Sequence, residues 1–257
     1  MTQEERRLFL LRALLAEEPR WQDIAIPADA QGQRDLLRSL MNVRPPKAIA
    51  PEVLAVQDAY LQEESRRKGI VELSTLNERQ SGLYLWQGDI TRLACDAIVN
   101  AANERMLGCF VPCHGCIDNA IHTYAGMQLR LACAEQMHAQ GHAEPVGLAK
   151  LTSAYNLPSR YILHTVGPLI TAPLTKRDRQ LLAACYRSCF RLAQEHQLKS
   201  IAFCCISTGE FHFPNDVAAQ IAVTTIQACR AQTNSEMKVI FNVFKDNDLE
   251  SYRKLLG

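Results

Sequence analysis

No sign of charge dominates this chain: 28 Lys and Arg residues stand against 27 Asp and Glu. A balance this close to zero provides no domain-wide basic field for nucleic acid or an anionic membrane, so an anionic ligand has to be held by a local site. Long apolar runs are missing too. No stretch approaches the roughly 18 apolar residues of a membrane span. The N-terminal segment MTQEERRLFLLRALLAEEPRW is interrupted by Arg12 and flanked by Glu4, Glu5, Glu17 and Glu18. A secretory signal requires an unbroken apolar region and a small-residue cleavage site, so this segment reads as an amphipathic helix and the protein as cytoplasmic. Internal repeats and low-complexity tracts are also absent.

Cysteine, by contrast, is plentiful, with ten in 257 residues. Without an export signal these are expected as reduced thiols rather than a disulfide framework. Most lie in apolar periodic segments, such as Cys185 and Cys189 in LLAACYRSCFRL and Cys204 and Cys205 in SIAFCCIS, where small buried core residues are expected. Cys109, Cys113 and Cys116 fall instead in GCFVPCHGCIDNAIH, a loop-like stretch containing Gly and Pro, with His114 among them. A metal site, a redox site, and a phosphate loop whose glycines have been replaced are the readings these residues leave open.

The patterning divides the chain near residue 70. Residues 1–70 read as helical: Thr2 and Glu5 have capping-box spacing, and Leu8, Leu11 and Leu15 share a face. A second helix is predicted over Gln33–Met41, ahead of Pro45 and Pro46. A third runs from Pro51 to just before Gly69, with Val53, Val56 and Tyr60 as its buried stripe. Three short helices make a poor independent core, so the extension is expected to pack on the larger domain. From residue 71 to 257 strands and helices alternate. Strands are predicted at Val71–Leu76, Leu83–Gln87, Ala97–Asn100, Leu148–Ala154, Tyr161–Val166, Ser200–Ile206 and Lys238–Phe244. Helices are predicted at Ile117–Met137, Arg177–Gln197, Asn215–Arg230 and Asp246–Leu255. This order indicates an α/β fold, a central mixed sheet between two helical layers, with an N-terminal helical extension. Ligands in such folds bind in the loops after the strands.

Asp89, in LYLWQGDITRLACDAIVNAAN, either caps the turn that follows it or accepts a hydrogen bond from an exocyclic amine of a ligand. Asn100 and Asn103 close the next strand, where amides stabilise turns or bind ribose hydroxyls. In FCCISTGEFHFPND small residues stand between a strand and a helix, an arrangement that lets backbone N–H groups approach phosphate oxygens. Only one glycine is present there. Phe211 and Phe213 either line a ribose or base or plug the core.

Taken in order, GDIT, DAIVNAAN, IDNAIHTYAG, YILHTVGP, STGEFHFP and VIFNVF resemble the motifs of macrodomains from about Leu83 onward. Macrodomains bind ADP-ribose, and many remove it from proteins. Typical members carry a glycine run before V-D-x-A-I-H. Here Cys113, His114, Gly115 and Cys116 precede Ile117–Asp118–Asn119–Ala120–Ile121–His122, as in the zinc-dependent subgroup. That subgroup also carries an N-terminal helical extension. It resembles bacterial ADP-ribosyl hydrolases encoded beside a sirtuin-type transferase and a lipoyl carrier protein.

The resemblance implies one Zn²⁺ held by Cys109, His114 and Cys116 in a C-x4-H-x-C pattern. Chemistry points the same way. Thiolates beside a pyrophosphate repel it, whereas two thiolates and an imidazole suit Zn²⁺ and leave a neutral site. Three protein ligands leave a fourth position open, as in a catalytic site; coordination by Cys113 as well would close it. A redox role for Cys113 and Cys116 lacks a thioredoxin-like context.

The resemblance further implies that Asp89, Ile90, Asn242 and Phe244 surround adenine. Ser207, Thr208, Gly209, Glu210, Phe211 and Phe213, with Ile117 and Asn119, hold the pyrophosphate. Asn100 and Asn103 serve the distal ribose. Asp118, an N-cap in other contexts, occupies the position of the acidic residue that orients or activates water. The implied activity is zinc-dependent hydrolysis of mono-ADP-ribose from proteins, from an O-linked, acidic-type attachment. A non-catalytic reader and an O-acetyl-ADP-ribose deacetylase are the alternatives. His122 is expected to be a buried, hydrogen-bonded packing residue, His164 a strand residue near the cleft, and the basic run Arg66–Arg67–Lys68 a helix end without a partner.

Overall fold

The computed structural model describes residues 1–257. Thr2 caps α1 (Gln3–Ala16) through a complete capping box with Glu5, and Asp29 caps α2 (Ala30–Val43) by accepting the Gly32 N–H. α3 (Pro51–Lys68) begins with its proline and ends at Gly69, where φ is +81°. These three helices share a core of Leu10, Leu11, Leu14, Trp21, Leu37, Leu40, Val53, Tyr60 and Leu61, which Met127 of the larger domain closes. The extension therefore has a small core of its own, which pattern alone did not suggest, and it joins the rest of the chain mainly through polar contacts.

The remainder runs β1 (Val71–Glu72), β2 (Glu78–Gln80), β3 (Leu83–Gln87), β4 (Leu93–Ala94), β5 (Ala97–Ala102), α4 (Ile117–Ala125), α5 (Met127–Gln140), β6 (Ala149–Ser153), β7 (Tyr161–Val166), α6 (Lys176–Glu195), β8 (Ser200–Phe203), α7 (Asn215–Thr233), β9 (Lys238–Val243) and α8 (Asp246–Leu256). Seven strands form one mixed sheet in the order β2-β3-β9-β8-β5-β7-β6. Only the two edge pairings, β2 with β3 and β6 with β7, are antiparallel. The central strands read as near-continuous apolar runs because both faces are covered: Ala97, Ile98, Val99, Ile201, Ala202, Val239, Ile240 and Phe241 are fully buried. Helices α6, α7 and α8 pack side by side, and α4 and α5 form the other helical group, with α2 and α3 against α4.

Three predicted elements differ. The strand expected over Val71–Leu76 is two residues long and turns into a 3-10 segment at Leu73–Thr75. The strand expected to reach Ile206 stops at Phe203, freeing residues 204–207 to form a loop. The helix expected over Ile117–Met137 is broken at Gly126, where φ is +104°. Gln57 of the extension accepts the Met127 N–H at 2.8 Å and so starts the new helix. A Cβ on Gly126 would lie 2.6 Å from Gln128 Oε1 and 2.8 Å from Gln57 Nε2, and the positive φ at the break requires glycine.

Candidate active site and metal centre

All parallel strands point their C-terminal ends to one side, where the following loops surround a cavity of about 930 Å³. This is where an open α/β sheet binds its ligand. β3 delivers Gly88, Asp89 and Ile90; β5 delivers Asn103; β8 delivers Ser207 to Phe211; β9 delivers Asn242 and Phe244. The loop from Cys109 to Cys116 and the first residues of α4, Ile117 and Asp118, form the facing wall. Three residues expected against the ligand lie elsewhere. Phe213 is 1% exposed and plugs the core. Asn100 is fully buried behind Asp118. Asn119 is fully buried and bound to Arg38 and the Val111 carbonyl.

Asp89 takes the capping role. Its Oδ1 accepts from the Thr91 N–H and hydroxyl at 3.0 and 2.6 Å, capping the turn Ile90–Arg92, while the residue still lines the cavity. Its Oδ2 faces Lys68 Nζ at 3.4 Å, and the same ammonium sits 3.1 Å from the centre of the Tyr124 ring. The basic end of α3 thus has a partner after all. Nearby, Asn242 donates to the Gly88 carbonyl at 2.9 Å, and Phe244 stands 73% exposed at the cavity rim.

The loop Ser207–Phe213 has a single glycine, yet Ser207 and His212 both have positive φ, at +65° and +56°. Phe213 N–H donates to the Ser207 carbonyl and His212 N–H to that of Gly209, which closes the loop on itself. The N–H groups of Gly209, Glu210 and Phe211 take no partner within the chain, which suits an anion held by backbone donors.

Asp118 is buried, at the second position of α4 rather than its cap; Cys116 is the cap, its Sγ accepting the Asn119 N–H at 3.4 Å. Asn100 donates to Asp118 Oδ1 at 2.8 Å, and Asn103 Nδ2 lies 3.5 Å from Oδ2. Burial raises the Asp118 carboxyl to about 6 even though the Asn100 hydrogen bond and Arg130 pull it down. Asn100 is held in turn by His164, whose Nδ1 lies 3.1 Å from Asn100 Nδ2 and whose Nε2 lies 2.8 Å from Thr152 Oγ1. Since Asn100 can only donate there, Nδ1 is the acceptor and Nε2 carries the proton. Burial lowers His164 to about 3. His122 is buried as expected but not hydrogen-bonded: both ring nitrogens lack partners, with Nε2 3.6 Å from Asp118 Oδ1.

The donor atoms of Cys109, His114 and Cys116 lie within 4.8 Å of one another. Cys109 Sγ and His114 Nδ1 are 3.6 Å apart. Zinc bonds of about 2.3 Å to sulfur and 2.0–2.1 Å to nitrogen span a tetrahedral S–N edge of roughly 3.6 Å, so these residues fit the ion. Burial pushes the Cys116 thiol up to about 12, and Cys109 and Asp118 act in the same direction. A cation is what would let that thiol ionise. Cys113 points elsewhere: at φ +52° its Sγ lies 3.3 Å from Ser39 Oγ and 3.4 Å from the Asp35 carbonyl, both on α2.

Residues 99–222 match the Macro domain family. Across 100% of both chains the protein is 56% identical to a protein-ADP-ribose hydrolase of Treponema medium. The chain belongs to the macrodomain family. A Staphylococcus aureus protein-ADP-ribose hydrolase is 51% identical over 90% of this chain and 87% of its own. Among solved structures, a Trypanosoma brucei macrodomain in complex with ADP-ribose superposes with a TM-score of 0.67 at 30% identity, covering 86% of this chain and 95% of that one. An Oceanobacillus iheyensis macrodomain with MES bound gives 0.62 at 37% identity, covering 70% and 93%.

Two residues that contribute to this macrodomain's cavity were not legible in the sequence. Arg38 of α2 lines it, and Lys68 of α3 pairs with Asp89. Each reads locally as a solvated helix cation, and no motif surrounds either.

Proposed function

We propose that this protein hydrolyses the bond between ADP-ribose and a modified protein side chain, with one zinc ion at Cys109, His114 and Cys116. The observation that carries the reading is the buried Asp118 carboxylate, oriented by Asn100 and Asn103 and lining the same cavity as the three-donor cluster. A site that only reads ADP-ribose requires neither. The relatives named protein-ADP-ribose hydrolase, matched over 100% and 90% of this chain, support the same activity, and the ADP-ribose complex of the Trypanosoma brucei macrodomain supports ADP-ribose as the ligand.

In this reading Asp89 and Phe244 take the adenine end, and the free N–H groups of Gly209 to Phe211 hold the pyrophosphate against the start of α4. Asn103 positions the distal ribose. Asp118 orients the attacking water and receives its proton at a carboxylate oxygen. Water adds across the bond to the carrier side chain, releasing ADP-ribose and the unmodified residue. When bound, zinc supplies Lewis acidity and a fixed point for the distal end of the substrate. Cys113, turned toward α2, leaves a coordination position unfilled by protein. An O-linked attachment through an acidic side chain is the substrate class proposed, on a lipoyl carrier protein modified by a sirtuin-type transferase. The same pocket accommodates the ester of O-acetyl-ADP-ribose.

The test incubates the protein, with and without a zinc chelator, with carriers labelled at acidic, serine or arginine side chains, and measures released ADP-ribose. Release from the acidic carrier, abolished by chelation and reduced at least about a hundredfold in Asp118→Ala, is expected. Tight ADP-ribose binding without release from any carrier would make the protein a reader. Equal, low zinc in wild type and in a Cys109→Ser/Cys116→Ser variant would remove the metal.

A further inference from the structure

The Cys109–Cys116 loop is tied to the rest of the chain in an unusual way. Arg38 Nη2 donates to the His114 carbonyl at 2.9 Å and to Asn119 Oδ1 at 2.7 Å, with Nε 3.3 Å from the same oxygen. Asn119 Nδ2 donates onward to the Val111 carbonyl at 3.0 Å. One arginine–asparagine pair therefore grips the loop at residues 111 and 114. Asn42, one turn along α2 from Arg38, accepts the Cys113 N–H at 2.9 Å, and Asp35 and Ser39 receive the Cys113 side chain. Inside the loop the backbone makes one hydrogen bond of its own, from His114 N–H to the Val111 carbonyl at 3.3 Å. Its shape is thus held largely from α2, which lies outside the residues matched to the Macro domain, with Arg130 of α5 over the Phe110 ring as a further hold.

We propose that Arg38 is a positioning residue for the metal loop, and that the helical extension is thereby part of the metal site. The inference rests on the zinc reading above. Three ligands spread over eight residues have to be ordered before they can converge, and that ordering costs backbone conformational entropy. A loop already held in its binding geometry forgoes that cost when the ion arrives. Arg38 suits the task better than lysine would, because its planar fork reaches a carbonyl and an amide oxygen together while a single ammonium grips less firmly. Its buried partner Asn119 directly follows Asp118, so the same contact also fixes the start of α4, where Cys116 caps the helix.

Zinc affinity is measured by competition with a chromophoric chelator, without ADP-ribose, for wild type, Arg38→Met and Arg38→Lys, with Arg12→Met as an exposed arginine of the same extension. Urea unfolding of chelated, metal-free protein reports on the remaining fold. Arg38→Met is expected to bind zinc about 10- to 100-fold more weakly, Arg38→Lys to fall between it and wild type, and Arg12→Met to match wild type. Metal-free Arg38→Met is expected to unfold in one cooperative transition with the urea slope of wild type, which marks an intact fold. Zinc affinity equal to wild type in Arg38→Met overturns the inference while leaving the zinc reading intact. Should Arg38→Met fail to fold, Arg38→Lys decides by the same criterion. Wild-type protein that takes up no zinc at these three ligands overturns both.

Discussion

His164 offers a prediction whose size follows from burial alone. The ring is fully buried between Asn100 and Thr152, and burial holds its proton affinity down at about 3, against 6.5 for an exposed imidazole. The unfolded chain protonates this residue below about pH 6.5 while the folded one does not, so stability falls as pH drops through that value and continues to fall toward pH 3. Between about pH 7.5 and about pH 5 the loss from this one group is about 2 kcal/mol. His164→Gln cannot take up a proton. It carries a constant penalty from altered hydrogen bonds to Asn100 and Thr152, but that penalty cancels when each protein is compared with itself at the two pH values. His122 is also buried and its proton affinity is also lowered, by burial first and then by His164 and Arg130; it loses stability with acid in both proteins and largely drops out of the difference. Urea unfolding of both proteins in chelator supplies the numbers. Wild type should lose about 2 kcal/mol more than His164→Gln over this interval. Equal losses would refute the claim that the folded protein keeps His164 neutral, and with it the assigned tautomer that lets Asn100 donate to both His164 and Asp118.

Three other perturbations follow from the geometry. Cys113→Ser should retain zinc at wild-type stoichiometry by metal analysis, because the Cys113 thiol faces Ser39 and Asp35 rather than the cluster; loss of the metal would place Cys113 among the ligands. Asp89→Asn keeps the turn cap, since Asn and Asp cap equally well, but removes a charged acceptor at the adenine end and the half-exposed Lys68 ion pair, so calorimetry should show ADP-ribose binding weakened about tenfold with stability lowered by no more than about 1 kcal/mol. Gly108→Ala places a Cβ 2.7 Å from the His122 ring at a backbone φ of +78°; urea unfolding should show a loss of about 2 kcal/mol or more.

The layered α/β fold was legible because periodicity survives in the sequence. Apolar runs such as AIVNAA and KVIFNV read as central strands, since parallel strands covered on both faces need no alternation. The loops after those strands identified the cavity walls in advance, because parallel strands all deliver their C-terminal ends to one side. Local pattern failed where a distant segment intervenes. Gly126 breaks a continuous helical pattern because Gln57, 70 residues earlier, accepts the next N–H. Phe211 and Phe213 look interchangeable in sequence, but the turn after Ser207 sends one to the cavity and the other into the core.

By itself the sequence placed three thiols and an imidazole within eight positions just ahead of Asp118, in a chain of nearly balanced charge, and the resemblance to macrodomains singled out Cys109, His114 and Cys116 among them. Where the Cys113 side chain turns was a tertiary decision. Cys113 and His114 are neighbours in the chain, and spacing cannot say which way a side chain turns in a loop with one internal backbone hydrogen bond. That direction is imposed by α2, some 70 residues earlier, where Asn42 takes the Cys113 N–H and Arg38 the His114 carbonyl. Hydrogen bonds between segments this far apart leave no trace in local periodicity, and so the structure alone shows the helical extension forming one side of the site.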